Sequence, residues 1–237
     1  MRSKPVTERE REAAQVQKMF ARIAPRYDLM NKLMTGFQDI RWRREVLRRA
    51  DLHPGDLLFD LGAGTGDLAR QTLKDHPGVN VVAADFTTQM MLTGRETHKL
   101  NPDFTTADAL HTPFMDGQFD AVVSGFLLRN VTDLPAALAE QFRILKPGGR
   151  FLSLDTTQPT PNLFSPLIRF HMRVVIPWLG GLITGQRQAY TYLPSTSEHF
   201  LKAESLAELL SSTGFKNVCF VRRNLGTIAI HWGVKPL

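Results

Sequence analysis

Residues 59–69 read FDLGAGTGDLA, with Gly62, Gly64 and Gly66 two apart between an apolar run and a helix-like pattern. A strand that ends in alternate glycines and turns at once into a helix admits few folds. Glycine lets the chain pass close beneath a ligand, and the strand–turn–helix order is the opening unit of a parallel sheet covered by helices. The pattern downstream repeats that unit. LLFDL (57–61), NVVAAD (80–85), FTTAD (104–108), FDAVVSGF (119–126) and RFLSLD (150–155) read as strands. Helical patterns run from the glycine loop to about Lys74, over TTQMMLTGRETHKL, and from about Leu134 to Leu145, with KPGG (146–149) as a turn. The predicted fold is α/β, with a doubly wound, mostly parallel sheet.

Flanking segments break the rhythm. Residues 7–24 read as a charged helix with Val16, Met19, Phe20 and Ile23 on its apolar face, interrupted at Pro25, and residues 38–50 as an arginine-rich helix. The stretch 158–201 is Pro-rich at its start and apolar in its middle, which marks a lid or binding insertion. After it come a helix (203–212), Gly214 as its C-cap, and two strand-like runs, NVCFVRR and GTIAIHWGV. The expected division is therefore 1–50, an N-terminal helical cap; 51–157, the core; 158–201, a substrate-side lid; and 202–237, the completion of the sheet.

The chain carries one cysteine, Cys219, so no disulfide framework exists and a reducing compartment is expected. The charged N-terminus has no apolar signal region and no uninterrupted apolar run is long enough to cross a bilayer, so a cytoplasmic protein is expected. The net charge of +6 is uneven: residues 1–50 hold 13 Lys/Arg against six Asp/Glu, the remainder 16 against 17. Anionic lipid or nucleic acid could meet that basic end, and a solvated helical face would account for it equally well.

The glycine loop does not match a dinucleotide fingerprint, whose third glycine falls one residue later, nor a P-loop, which needs Lys-Ser/Thr. It is acidic where an anion would approach, at Asp67. Two further acids end strands, Asp85 after the second and Asp108, followed by Ala109, after the third. Ligands of such sheets lie at the carboxyl ends of strands, where an acid like Asp85 accepts from ribose hydroxyls; Asp108 could accept from an adenine amino group. A ribose, an adenine and a cationic tail make S-adenosylmethionine, and a glycine-rich turn with acids capping helices is the alternative.

Longer stretches then carry a resemblance. VVAADFTTQMM, YDLMNKLMTGFQDIRWRR (27–44), FLLRNVTD (126–133), RILKPGGRFLSLD (143–155) and YTYLPSTSEHF (190–200) resemble the UbiE/MenG family of ubiquinone/menaquinone biosynthesis C-methyltransferases over nearly the whole chain from residue 19. The resemblance implies a Rossmann-like class I methyltransferase fold and methyl transfer from S-adenosylmethionine to a ring carbon of a polyprenylated quinol, either demethylmenaquinol or a 2-polyprenyl-6-methoxy-benzoquinol. Carried over by position, Thr65 matches the family's loop threonine, Asp85 its ribose acid and Asp108–Ala109 its adenine-side pair. Tyr27, Asn31, Asp60, Gly62, Gly64, Gly66, Phe86 and Gly125 complete the expected cofactor site. Thr35, Asp39, Gly125, Asp155 and Thr157 depart from the family's usual serine, histidine, serine, glutamate and serine, and Leu127-Leu128 from its phenylalanine-glycine, several of them on the side facing the acceptor.

Arg129 and Asn130 follow the fourth strand, where the transferable methyl should emerge. An arginine beside a phenol favours its anion; the alternative is that Arg129 pairs with a carboxylate and Asn130 caps a helix. Asp155, Tyr190, His171 and His199 are candidate bases, and Phe126, Arg129, His171, Tyr190, Tyr192 and His199 candidate substrate contacts. Phe164, Leu167, Ile168, Phe170, Val174, Val175, Ile176 and Trp178 are expected to line a groove for the isoprenoid tail or to form the cap's own core. With Arg169, Arg173, Arg187 and the basic N-terminus they could rest peripherally on the inner face of an anionic membrane. No metal and no nucleic-acid partner are expected, since the basic end lacks interleaved aromatics. A homodimer and a monomer both fit. Methylation of a lipid headgroup amine and a non-catalytic scaffold of a quinone-synthesis complex are the competing functions.

Overall fold

The computed structural model describes residues 7–159 and 165–237, with backbone alone at a few helical positions. In chain order α1 (Glu8–Ile23), a 3₁₀ turn (Ala24–Arg26), α2 (Tyr27–Met34) and α3 (Asp39–Ala50) lead into β1 (Leu57–Leu61), α4 (Asp67–Asp75), β2 (Asn80–Asp85), α5 (Thr88–Thr97), β3 (Asp103–Thr106) and β4 (Phe119–Gly125). Then come a 3₁₀ turn (Leu128–Asn130), α6 (Leu134–Ile144), β5 (Leu145–Thr156), α7 (Ser165–Phe170), a π turn (His171–Val175), α8 (Ile176–Thr184) and α9 (Arg187–His199). The chain ends in α10 (Ala203–Thr213), β6 (Lys216–Arg223) and β7 (Ile228–Val234).

One seven-stranded sheet runs in the order β3-β2-β1-β4-β5-β7-β6. The first five strands are parallel, and β7 lies antiparallel to both β5 and β6. The short β6–β7 connection dictates that reversal, since parallel neighbours need a long crossover. Side chains alternate between two buried faces. Leu58, Ala121, Val123 and Leu152 point toward α3 and α4, where Trp42, Val46 and Leu68 cover them. Phe59, Val122 and Phe151 point the other way, toward Leu138, Leu206 and Leu210. Burial on both faces is why these strands read as near-continuous apolar runs.

The fold class is as expected. YDLMN, to which the sequence pattern assigns no element, forms α2. Three local expectations change. KPGG belongs to β5: Leu145 pairs with Phe119 and Arg150 with Ala121, so the four residues between bulge out, with Gly148 at φ 77°. β3 ends at Thr106, which puts Asp108 in the following loop, bridged to His111. The expected cap also divides. Helix α3 joins the sheet's own layer, whereas Ile23 and Met30 pack with Ile176, Ala189 and Tyr190 of the insertion into a third, smaller core. The N-terminal helices and the 158–201 segment thus close over the sheet together.

Gly94 shows how tightly α5 holds the glycine loop, because a Cβ there would lie 2.0 Å from the carbonyl oxygen of Thr65. Gly94→Ala should therefore cost about 1–3 kcal/mol, read as a lowered denaturation midpoint with an unchanged slope.

Candidate active site

At the carboxyl end of β1 the backbone turns through positive φ at Gly62, Gly64 and Gly66, with Gly66 serving as N-cap of α4. The loop is tied down from several sides. Asp85 accepts from the Gly64 amide at 2.8 Å and from the Thr87 amide at 2.7 Å. Thr65 donates to Asp28 of α2 at 2.6 Å, and His98 stands 3.4 Å from the other oxygen of Asp28. Burial pushes the Asp85 carboxyl up, against the pull of its backbone donors.

Four cavities open at this end of the sheet, two of them lined by the loop itself. The first is lined by Asp85, Phe86, Met90, Asp108, Ala109 and Gly125, and is roofed by Ala13, Val16, Gln17 and Phe20 of α1. Gln17 donates to the Phe86 carbonyl at 2.7 Å and fastens that roof. The second is largely apolar: Met34, Trp42, Met172, Ile176 and Ile228 line it with Asn31, Thr35 and Arg129. The third is a wider groove between α1 and α9, with Arg129, Asn130 and Tyr192 in its wall. The fourth is a small pocket under the glycine loop, lined by Arg43, Asp60, Thr65 and Asp67. Tyr27 and Phe126 line the first, second and fourth alike, so these three meet at that pair.

Most of the expected cofactor residues stand together: Tyr27, Gly62, Gly64, Asp85, Phe86, Asp108, Ala109 and Gly125 line the first cavity, and Asp60 and Thr65 the fourth. Gly66 instead shapes the turn. Asn31 faces the second cavity rather than the first. Asp67 is no free acid for a cationic ligand, because Arg43 and Arg70 pair with it at 3.0 and 3.3 Å. Asp28, Asp67 and His98 bring ligand atoms within 4.8 Å of one another, but these ion pairs and the Thr65 hydrogen bond already engage both carboxylates. Sequence reasoning missed the α1 roof and Arg43. The apolar face of α1 was legible, but what it covered was not.

On the acceptor side Arg129 is nearly buried and donates to Asp155 at 2.6 Å. The alternative of a carboxylate partner for Arg129 therefore holds, and Asp155 also accepts from the Thr156 amide at 2.8 Å. Asn130 is not a helix cap; Asp133 caps α6 by accepting from the Ala136 amide. Asn130 instead donates to the Phe126 carbonyl at 3.0 Å. That holds Phe126 at φ 59°, a strained conformation for an aromatic residue. Tyr190 is fully buried in the third core, its ring against Gly180 and its hydroxyl pushed far up by burial, and it lines none of the four cavities. The expected base and substrate contact thus stands in the third core rather than in a cavity wall. His171 lies in the π turn, half-exposed and outside the four linings. The side chain of His199 falls outside the described residues, as does Phe164.

The insertion forms neither groove nor core along its outer face. Leu167, Phe170, Val174, Trp178 and Leu182 recur at helical spacing and are 50–70% exposed, while Ile176 is buried in the second cavity's wall. The helical run Pro166–Thr184, 19 residues with mean hydropathy 1.2, is long and apolar enough by length and composition to cross a membrane, although Arg169, His171 and Arg173 interrupt its apolar sequence. Arg173 of this run pairs with Glu198.

Comparison with known proteins narrows the chemistry. The model of the ubiE/COQ5 methyltransferase family matches residues 7–235. A Desulfotalea psychrophila protein named ubiquinone/menaquinone biosynthesis C-methyltransferase UbiE is 44% identical over 93% of this chain and 90% of its own length. A Thermus thermophilus demethylmenaquinone methyltransferase is 42% identical over 92% of this chain and all of its own length. Among solved structures, the [4+2]-cyclase SpnF superposes with a TM-score of 0.68 at 17% identity, covering 94% of this chain and 96% of that one. The Haemonchus contortus phosphoethanolamine N-methyltransferase 2 in complex with S-adenosyl-L-methionine gives 0.62 at 18%, covering 83% and 53%. Those two likenesses establish the fold alone, and their unlike names show how little the fold decides the reaction.

Burial raises the Asp60 carboxyl from 3.8 to about 7, against the Ala69 amide and Arg43. The folded protein thus takes up a proton that the unfolded chain lacks between those values, and this group's contribution to stability falls as pH rises from about 4 through about 7. In thermal melts without cofactor, the wild-type protein should lose ground to Asp60→Asn as pH goes from about 5 to about 8; a constant difference would refute the assignment.

Proposed function

We propose that this chain, which belongs to the ubiE/COQ5 methyltransferase family and so is an S-adenosylmethionine-dependent methyltransferase, methylates a ring carbon of a polyprenylated quinol. The observation that carries the choice of acceptor is the second cavity. It adjoins the cofactor cavities at Tyr27 and Phe126, its walls are mainly apolar, and its one charge is the Arg129 guanidinium. Among the described residues that line it there is no carboxylate. Asp155, outside that lining, balances the guanidinium, which still presents N–H donors suited to a phenol oxygen, whereas an amine headgroup would find no carboxylate in the lining to receive it.

The cofactor supplies a methyl group on a sulfonium, and its transfer forms the new carbon–carbon bond, leaves a thioether and releases the ring proton. The chain's residues bind and orient. Asp85, Asp108 and Ala109 hold the nucleoside end. Tyr27 and Phe126 stand between the two reactants and bring them into line, an alignment that can supply several kcal/mol. Asp155, engaged by Arg129, acts as a positioning residue that aims the guanidinium and keeps it from turning elsewhere. Tyr27, whose hydroxyl is raised by burial against Asn31 and Arg129, stays a neutral hydrogen-bond donor at working pH.

The exposed stripe of α7 and α8 supports a second part of the reading: the enzyme rests on a lipid surface and takes its substrate from it. Scattered apolar residues are ordinary, but a contiguous row on one helical face marks an interaction site. Trp178→Ser with Leu182→Ser should lower binding to vesicles containing anionic lipid by about tenfold, with cofactor affinity unchanged; a variant that instead becomes monomeric while vesicle binding persists would assign the stripe to a second copy of the chain.

Arg129→Gln should cut turnover with demethylmenaquinol or the methoxy-benzoquinol about a hundredfold or more, while S-adenosylhomocysteine still binds. Transfer to phosphatidylethanolamine but to neither quinol would overturn the acceptor, and cofactor binding without transfer to any of them would favour a scaffold.

A further inference from the structure

The second cavity is smaller than a prenylated quinol. It encloses about 100 Å³, and an engineered cavity of about 150 Å³ holds benzene, so it has room for a ring and little more. At Tyr27 and Phe126 it meets the cofactor cavities. Two turns that reach none of the other three cavities also border it: the α2–α3 turn at Met34 and Thr35, and the β6–β7 turn at Asn224 and Thr227. Each turn carries a large apolar residue in a conformation such side chains rarely adopt. Phe37, two residues past Thr35, has φ 62° and is 58% exposed; Leu225, next to Asn224, has φ 54° and is 57% exposed. Among the described residues, six other than glycine have positive φ. Asp51, Asn217 and Asn224 are of types that tolerate it. The three that are not, Phe37, Phe126 and Leu225, all line or flank this one cavity. Neither turn is loose. The Phe37 amide donates to the Lys32 carbonyl at 2.8 Å. Thr227 donates to the Asn224 carbonyl through its amide at 3.1 Å and its hydroxyl at 2.8 Å, and its own carbonyl accepts from the Thr157 amide at 2.9 Å. Glycine or asparagine would occupy either place at less cost, and the exposed side chains gain no burial in exchange. Backbone strain held in place beside a cavity, with no packing to account for it, points to a ligand.

We propose that Phe37 and Leu225 form the two sides of an apolar rim past which the acceptor's isoprenoid tail leaves the cavity, and that they make the enzyme prefer a prenylated ring to the same ring without a tail. The inference rests on the quinol reading above and adds to it the residues that set the tail preference. A rigid turn suits the task, because a side chain carried on fixed backbone loses little freedom when a tail packs against it. The chemistry of the rim selects hydrocarbon. Neither Phe37 nor Leu225 offers a charge or a side-chain hydrogen bond. The polar groups beside Leu225, the side-chain amide of Asn224 and the hydroxyl of Thr227, engage each other at 2.9 Å. The ring oxygens are left to Arg129, and the first isoprene units to the rim.

Steady-state turnover of the full chain, without vesicles, tests this. The probes are a naphthoquinol or methoxy-benzoquinol ring that carries a short isoprenoid tail, and the same ring with none. Leu225→Asn combined with Phe37→Gly suits both backbones, so the variant should fold. It should raise KM for the tailed quinol about tenfold or more and leave kcat within about twofold, with both constants for the tail-less ring unchanged. Leu225→Met, which keeps an apolar side chain at the rim, should retain the wild-type preference. Equal changes on the tailed and tail-less rings, or none on either, would overturn the assignment. So would a KM effect seen only when the substrate is carried in vesicles, which would give the pair to lipid contact. Should the double variant fail to fold, the wild-type protein still decides: its KM for the tail-less ring should exceed that for the tailed one by about tenfold or more, and equal values would sink the role of the rim. Wild-type transfer to neither ring would remove the acceptor reading itself.

Discussion

The carboxylate of Asp85 is the fastening on which the site depends. It ends β2, next to β1 in the sheet, and takes one amide from the glycine loop and another from the start of α5. Three crossing backbones are thereby locked in one place. The consequence is geometric. A loop that turns through three positive φ angles has little stiffness of its own, and only external partners can hold its amides within a few tenths of an ångström. Gly94 of α5 and Asp28 of α2 press on the same loop from two other sides. The cofactor cavities therefore exist as preformed space, and most of what binding would cost in ordering has been met by the fold.

Two buried ionic groups follow from that preformed space rather than from stability. Arg129 with Asp155, and Arg43 with Asp39 and Asp67, withdraw charge from water at a cost that apolar residues of the same volume would avoid. Both groups place the guanidinium in a cavity wall with a buried carboxylate, Asp155 or Asp39, outside that lining. The acids thus act as struts: they hold an arginine that a long flexible stem would otherwise leave in many rotamers, and they keep it in the cavity wall. The departures Asp39 and Asp155 fall on these two struts, so they change how an arginine is supported rather than which side chain lines the cavity.

How much of this was legible in the sequence follows from the range of the interactions. β1 and β2 were legible to the residue, because burial on both faces writes itself as an apolar run. The acids at the cleft were legible because the strand ends locate the ligand in this class of sheet. What depended on distant packing was not. Tyr190 looked like a site residue by its neighbours in sequence, yet its ring fills the hollow over Gly180. Arg43 sat among five arginines of a basic helix, and nothing local distinguished the one that turns inward from those that meet solvent. Asp155 looked like a free base until β5 placed it beside the arginine that follows β4.

Phe126 brings these strands of argument together. Its amide donates to Leu154 on β5, its carbonyl accepts from Asn130, and between them the residue is held at a φ that costs on the order of 1–3 kcal/mol. A strain of that size survives only where surrounding contacts over-determine it. Here it turns the aromatic ring toward the point where the first, second and fourth cavities converge, 5.1 Å beneath the Arg129 guanidinium. An unstrained residue would carry the chain on from β4 with its side chain directed elsewhere, and the three cavities would no longer share a wall. The twisted backbone at one residue is thus the device by which the cavity beside the glycine loop is given a second, largely apolar neighbour with an arginine in its wall.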